Sequence, residues 1–484
     1  MMVEYPNFKP QNIIVIGGEG FLGSNLIYGL IKAYPSSNVH SLDLVQRNFD
    51  YNCFDPNRQE EGEDPRICHR FVRADLTSTE SISESFESIR PDLVFHTASP
   101  RIGSGREICE KVNVQGTINV LEACLRVGVQ RLVYTSSAGV VYNGVDLINV
   151  DERLPYPKVS IDDYNLSKAK AETLILEANG KGSLLTCALR PAGIFGPGDS
   201  QAIPSMIQVI KNGQHRIQLG PNNNLFDWTY VDNVVRSHLL AAQRLDQSVP
   251  LSQFATSLPP IWKTNPRRVV TASSSVKSDS EDVSSISNNT DDGELINMST
   301  ISLDFSPRVR SNNSSSVTSE STMAIDPPLL ARRHRWDQWS QVSTEINYPD
   351  QFVKVAGQAF FITGGEPIFF WDFARSVWTN YVKQSKLAKR LGLDPNPRFK
   401  LVFPAFLAII LAYVVDFWSR LTGRPNAFKP SAVRYACASR YYNIEKARVV
   451  LSYEPIVGVE EGIKRSIEAS LMLFILVLVD FLDA

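Results

Sequence analysis

The chain has little of what metal, disulfide or nucleic-acid chemistry requires. Its six cysteines, Cys53, Cys68, Cys109, Cys124, Cys187 and Cys437, are widely separated and form no Cys-x-x-Cys pair, so they read as free thiols of a reducing compartment. Six scattered histidines make no cluster of ligand spacing, and no metal site is expected. A formal net charge of −2 without long Lys or Arg runs leaves no footprint for nucleic acid. Met1 to Pro10 is polar and lacks a basic-then-apolar leader.

Apolar runs long enough to cross a bilayer are also missing. Leu401 to Val415 is apolar throughout, yet as a helix it reaches only about 22 Å against a hydrocarbon core of about 30 Å. Pro404 and the flanking Lys400, Asp416 and Arg420 point to an interfacial or tilted helix instead. Leu471 to Val479 is shorter and is closed by Asp480. Between residues 246 and 350 a third shortage appears: Thr271 to Met323 holds 17 serines and almost no aromatic side chain. Such a stretch cannot bury enough apolar surface to offset chain entropy, so it reads as a disordered insertion whose ends must lie close together. Trp336 and Trp339, after the basic run Arg332 to Arg335, are expected to mark where order resumes.

What is present is an alternation of β-branched runs and amphipathic stretches. Asn12 to Ile16 is followed by glycines at 17, 20 and 23 and then by the helical spacing of Leu26, Ile27, Leu30 and Ile31. Strand, tight turn and helix in that order hold a pyrophosphate: glycine lets the backbone approach, and the helix N-terminus stabilises the charge. Gly17, Gly20, Phe21, Leu22 and Gly23 are therefore candidate cofactor-binding residues. Asp43, ending the run Val39 to Asp43, stands where a carboxylate accepts from the adenosine ribose. It favours NAD, while Arg47 leaves NADP open.

Further strands are expected at Phe71 to Leu76, Leu93 to Ala98 and Arg131 to Ser137, with a helix from Glu107 to Val127 whose apolar side carries Val112, Ile118, Leu121 and Leu125. The alternation predicts a doubly wound parallel α/β sheet over residues 10–245, with Asp75, Leu76, Thr97 and Ala98 beside the cofactor. A smaller substrate lobe is expected at 351–467, including the 401–415 helix, and an apolar tail at 468–484. His96 ends a strand near the cofactor but reads as a packed residue.

Tyr164 and Lys168 stand four apart, so one helical face presents both. A nearby ammonium lowers a phenol's pKa, which would let Tyr164 act as general base toward an alcohol. Ser137, at a strand end, is the candidate that orients the substrate oxygen; Ser136 is its rival, because alternate strand residues face opposite ways.

Together, Gly17 to Gly23, Asp43, Ser137 and Tyr164-x-x-x-Lys168 resemble the extended short-chain dehydrogenase/reductase superfamily. Val94 to Pro100, Asn113 to Thr117, Leu189 to Gly198 and Tyr230 to Val234 resemble its 3β-hydroxysteroid dehydrogenase family. Gly357 to Thr363, Phe370 to Phe373 and Arg440 to Ala447 look closest to the fungal sterol-4α-carboxylate 3-dehydrogenases. This resemblance implies Tyr164 as proton acceptor and Lys168 as the residue that lowers its pKa and holds the nicotinamide ribose. It also implies Ser137 on the substrate oxygen, Asn113 on the cofactor side, and Pro191 and Ile194 bordering the nicotinamide. The implied activity is NAD(P)-dependent oxidation of a 3β-hydroxysterol 4α-carboxylate with loss of carbon dioxide, which needs no metal. Partners would be the sterol, membrane lipid, other enzymes of sterol C4 demethylation and further copies in an oligomer, at the endoplasmic reticulum with the catalytic lobe in the cytosol. Two rivals stand beside it: a steroid or triterpenoid dehydrogenase of secondary metabolism that does not decarboxylate, and an idle cofactor-binding scaffold.

Overall fold

The β-branched runs become the strands of one sheet. The computed structural model describes residues 8–47, 69–250, 352–397, 399–423 and 428–482, and all of them fall in one compact unit. Strands β1 (Asn12–Ile16), β2 (Asn38–Asp43), β3 (His69–Arg73), β4 (Leu93–His96), β5 (Arg131–Thr135), β6 (Leu185–Pro191) and β7 (Ala359–Ile362) lie in the order 7-6-5-4-1-2-3. Every pairing is parallel. The order reverses between β1 and β4, which opens a crevice at the C-terminal strand ends where such sheets take ligands. Ile13, Val15, Phe95, Val133 and Leu189 are buried on one face, and Ile14, Val94, Leu132 and Ala188 on the other. Two covered faces explain the near-continuous apolar runs.

Helices α1 (Phe21–Ala33), α2 (Thr79–Ile89), α3 (Gly116–Val127), α4 (Asp163–Ala178) and α5 (Val231–Arg244) cover the sheet. The expected helix from Glu107 to Val127 is broken: Arg106–Cys109 is succeeded by a π-helical stretch, Glu110–Gln115, before α3 begins. Within α3 the buried apolar side chains are Val120, Leu121, Ala123 and Cys124, so of the expected stripe Leu121 is buried, Ile118 is half-buried and Leu125 faces solvent. Strand β3 also ends earlier than expected, which leaves Asp75 and Leu76 in the loop after it.

Residues 251–351 lie outside the described residues, and with them the serine-rich segment, Trp336 and Trp339. The described chain on either side is paired antiparallel, Ser248 opposite Lys354 and Pro250 opposite Phe352. The described residues that flank the segment are thus adjacent, as the closure of a long loop demands.

A smaller lobe is built on a four-stranded sheet with the order Ile368–Phe369, Leu225–Phe226, Arg440–Tyr442, Leu147–Val150. Around it stand α6 (Phe370–Gln384), α7 (Ala405–Thr422), α8 (Pro430–Cys437) and α9 (Val459–Leu482). Helix α7 corrects the expectation for 401–415. Leu401–Phe403 is a strand parallel to Ile217–Leu219, and the helix starts only after Pro404. Proline disfavours helical backbone in the residue before it, so the apolar run divides there. Beyond Asp480 the apolar tail continues α9 rather than ending. Among the described residues no helix is long and apolar enough to cross a membrane.

Candidate active site

The glycine turn is dictated by its neighbours. Gly17 has φ +79°, and a Cβ on it would stand 2.7 Å from the backbone of Ala98; one on Gly23 would stand 2.1 Å from the carbonyl of Gly17. Neither position accepts a side chain. Gly20 caps α1 without a side-chain hydrogen bond, so the first-turn amides at Phe21 and Leu22 remain for an anion.

Asp43 closes β2 beside this turn. Burial raises its pKa, opposed by hydrogen bonds from the amides of Leu44 at 2.8 Å and Glu19 at 3.2 Å. Glu19 is a residue that motif reading passes over. It is buried, accepts from Ser41 Oγ at 2.6 Å and the Arg47 amide at 2.8 Å, and lies 3.6 Å from His69 Nε2. Two carboxylates therefore occupy the ribose end of the crevice. That arrangement disfavours an added 2′-phosphate.

The turn, Asp43, Asp75, Leu76, Thr97, Ala98, Ser137, Tyr164, Lys168, Pro191 and Ile194 all line one cavity of about 1210 Å³. Its volume exceeds the roughly 300–1,000 Å³ of an ordinary ligand pocket, leaving room for a dinucleotide and a second ligand. The glycine cradle, the uncapped helix end and the ribose acid fit the dinucleotide. At the other end the walls are Phe226, Trp228, Phe370, Trp371, Trp378 and Tyr435. This end suits a large apolar ligand.

The candidate catalytic side chains Ser137, Tyr164 and Lys168 converge at the junction. Helix α4 is started by Asp162, whose carboxylate accepts from the Asn165 amide at 2.7 Å. Lys168, 1% exposed, donates to the Thr135 carbonyl at 2.8 Å and sits 4.8 Å from the Tyr134 ring centroid. Burial lowers its pKa to about 7, against the raising effect of Glu172 one turn on. Tyr164 is partly buried at the cavity wall. Its phenol departs from expectation: burial pushes it up to about 12, with a hydrogen bond to Ser99 the main opposing influence. Lys168 does not depress it here, because the ammonium is aimed at β5.

Ser136 and Ser137 both line the cavity just beyond the end of β5, so strand alternation does not separate them; their hydrogen bonds do. The hydroxyl of Ser136 is committed to Glu172, whereas Ser137 Oγ accepts from the Gly139 amide at 3.1 Å. Asn113 is buried in the π-helical stretch and donates to Ser167 Oγ at 2.9 Å. It braces the catalytic helix and does not line the cavity. His96 packs as expected, hydrogen-bonded to Thr117 Oγ1 at 3.1 Å, with burial holding its pKa down at about 3. The described cysteines, Cys109, Cys124, Cys187 and Cys437, are free; Cys53 and Cys68 lie outside the described residues. Among the described residues no group of His, Cys, Asp and Glu is placed to hold a metal.

A dinucleotide crevice ending on a Tyr-Lys-Ser trio defines a dehydrogenase of the extended short-chain type. Residues 14–267 match the 3-beta hydroxysteroid dehydrogenase/isomerase family, and the chain belongs to it. It is 33% identical over 462 residues to a decarboxylating sterol-4-alpha-carboxylate 3-dehydrogenase of Candida albicans, covering 95% of this chain and 97% of the relative. The enzyme of that name from Saccharomyces cerevisiae is 32% identical over 466 residues, covering 95% of this chain and 97% of its own. Among solved structures, an epimerase from Methanothermobacter thermautotrophicus superposes with a TM-score of 0.55 at 18% identity, over 97% of this chain and 94% of its own. A dTDP-glucose 4,6-dehydratase from Bacillus anthracis, solved with NAD, gives 0.51 at 13% identity, over 96% and 97%. These structures share the fold.

Proposed function

We propose that this chain oxidises the 3β-hydroxyl of a sterol 4α-carboxylate to the ketone, with NAD as acceptor and with loss of the C4 carboxylate as carbon dioxide. The observation that carries the reading is the single cavity: a glycine cradle at one end, Ser137, Tyr164 and Lys168 in the middle, and aromatic walls beyond. Relatives matched over nearly their whole length supply the substrate class.

Gly17, Gly20 and Gly23 with the α1 N-terminus would hold the pyrophosphate, and Asp43 the adenosine ribose. Pro191 and Ile194 would border the nicotinamide, and Lys168 would donate to its ribose. Bound NAD would supply the hydride acceptor and a positive charge. Ser137 donates to the sterol O3 and fixes it. Tyr164, with its phenol deprotonated, takes the O3 proton as the C3–H bond breaks. The new ketone is β to the carboxylate, so the bond between C4 and the carboxyl carbon breaks and its electron pair passes into the enol. Carbon dioxide leaves, and a proton returns to C4.

Purified protein incubated with NAD and a 4α-carboxysterol is expected to yield a 3-ketosterol without the carboxylate, one NADH per turnover, by mass spectrometry and absorbance. A ketone that retains its carboxylate, or no turnover, overturns the reading.

We further propose that α7 docks on the cytosolic face of the endoplasmic reticulum membrane. Ala408 and Ala412 pack on Val433 of α8, while Phe406, Ile410, Val414, Phe417 and Trp418 face outward, the last 65% exposed. An exposed patch of this kind is a place where lipid binds, and a sterol is collected from a bilayer. Replacing Phe406 and Phe417 with Glu is expected to reduce co-sedimentation with neutral phospholipid vesicles about tenfold or more, while turnover of detergent-solubilised sterol persists. Unchanged sedimentation of the double variant removes α7 as the anchor.

A further inference from the structure

One buried cation in the cavity has an edge of its guanidinium that no described residue hydrogen-bonds. Arg440, 3% exposed, opens the strand Arg440–Tyr442 inside the lobe's sheet and lines the cavity. Its guanidinium carbon lies 3.2 Å from the ring centroid of Tyr435, 4.5 Å from Phe226 and 4.7 Å from Tyr142. Its Nε and Nη2 are buried and have no hydrogen-bond partner among the described residues. Asp227, an acid lining the same cavity beside this strand, gives its carboxylate to the Tyr442 amide at 2.8 Å.

Three rings offset part of the desolvation of a guanidinium, but they offer nothing to its N–H groups. Nε and Nη2 form one edge of the guanidinium fork, the edge that a carboxylate takes bidentately. We infer that Arg440 binds the C4 carboxylate of the substrate and selects carboxylated sterols over their neutral congeners. The inference rests on the reading that the substrate is a sterol 4α-carboxylate.

Placement supports it. Tyr435, which stacks on Arg440, is close enough to Tyr164 to act on its phenol electrostatically. Arg440, Tyr435 and Tyr164 line the same cavity, so the cation and the group that receives the O3 proton face one space. In the substrate, the carboxylate and O3 sit on neighbouring carbons, so one ligand spans both anchors. Pairing stabilises the carboxylate itself, and its effect belongs to binding and selection rather than to the loss of carbon dioxide.

The test compares a 3β-hydroxysterol 4α-carboxylate with the same sterol bearing a 4α-methyl group, on wild type, Arg440→Gln and Arg440→Lys. The ratio of kcat/KM for the carboxylated over the methyl sterol is expected to fall about a hundredfold in the Gln variant, through KM, and about tenfold in the Lys variant, which keeps the charge and loses the fork. NAD affinity reports folding; if the Gln variant loses it, the Lys variant decides. Equal losses on both sterols, or an unchanged ratio, overturn the assignment. A wild type that turns over only the methyl sterol overturns the substrate reading and this inference together. A wild type that prefers the carboxylate, with variants that keep the preference, overturns the role of Arg440 alone.

Discussion

Replacing Tyr164 with Phe is expected to lower kcat by about 10²- to 10⁴-fold while leaving NAD binding and the melting temperature nearly unchanged. The ring stays, so the packing of α4 on the π-helical stretch stays with it, and only the oxygen that exchanges the O3 proton is removed. Burial pushes the phenol up to about 12. Burial therefore favours the protonated phenol at neutral pH, and the base forms only when a further positive charge stands beside it. The expected signature is a rising limb of kcat with pH on the acid side of the wild-type profile that is absent in Tyr164→Phe. Stopped-flow formation of NADH over a pH series measures both. Should Tyr164→Phe turn over at the wild-type rate, the site is not a dehydrogenase centre and the chain acts as a cofactor-binding scaffold.

The parts of this site that are legible in the sequence are those that the backbone itself requires. Gly17 and Gly23 are legible because any Cβ there meets a neighbouring main chain, and Asp43 because β2 must deliver an acid at its end. Tyr164 and Lys168 are legible because helix periodicity puts them on one face. The residues that sequence reasoning misses owe their roles to tertiary neighbours. Glu19 looks like a spacer among glycines, and only the closeness of β2 turns it into the acid that pins Ser41 and the Arg47 amide. Arg440 enters the sequence reading only as the first residue of a stretch of family likeness, and its own surroundings emerge when the rings of Tyr142, Phe226 and Tyr435 enclose it. The Leu401 run misleads because hydropathy ignores what Pro404 does to the residue before it.

Glu172→Gln is expected to be the most destabilising single change near the site. Glu172 lies one turn beyond Lys168 on the buried face of α4, fully enclosed. Its carboxylate takes Arg190 Nη2 at 2.5 Å and Nε at 3.1 Å, the Tyr156 hydroxyl at 2.5 Å and the Ser136 hydroxyl. Burial alone would raise its pKa, but the Arg190 charge and these hydrogen bonds win and hold it below the usual value. A buried pair broken on one side leaves an uncompensated charge, at a cost of about 3–5 kcal/mol. Because the folded pKa of Glu172 is depressed, its contribution is complete above the ordinary Glu value of about 4.3 and fades as pH falls toward the lowered one. The wild type should thus lose stability on acidification through that window, and the Gln variant should lack this part of the dependence. A second consequence separates the role of Glu172 at the site from mere packing. The Glu172 charge raises the pKa of Lys168, so its removal drops that pKa below about 7 and the ammonium is lost at a lower pH. The proposed role of Lys168, donation to the nicotinamide ribose, is strongest while the amine is charged, so the Gln variant's activity should fall away at lower pH than the wild type's, on the basic side of the profile. Urea denaturation at two pH values and a kcat–pH profile test the two halves. A Gln variant with wild-type stability would show that Arg190 finds another partner, and an unshifted profile would show that Glu172 does not act on Lys168.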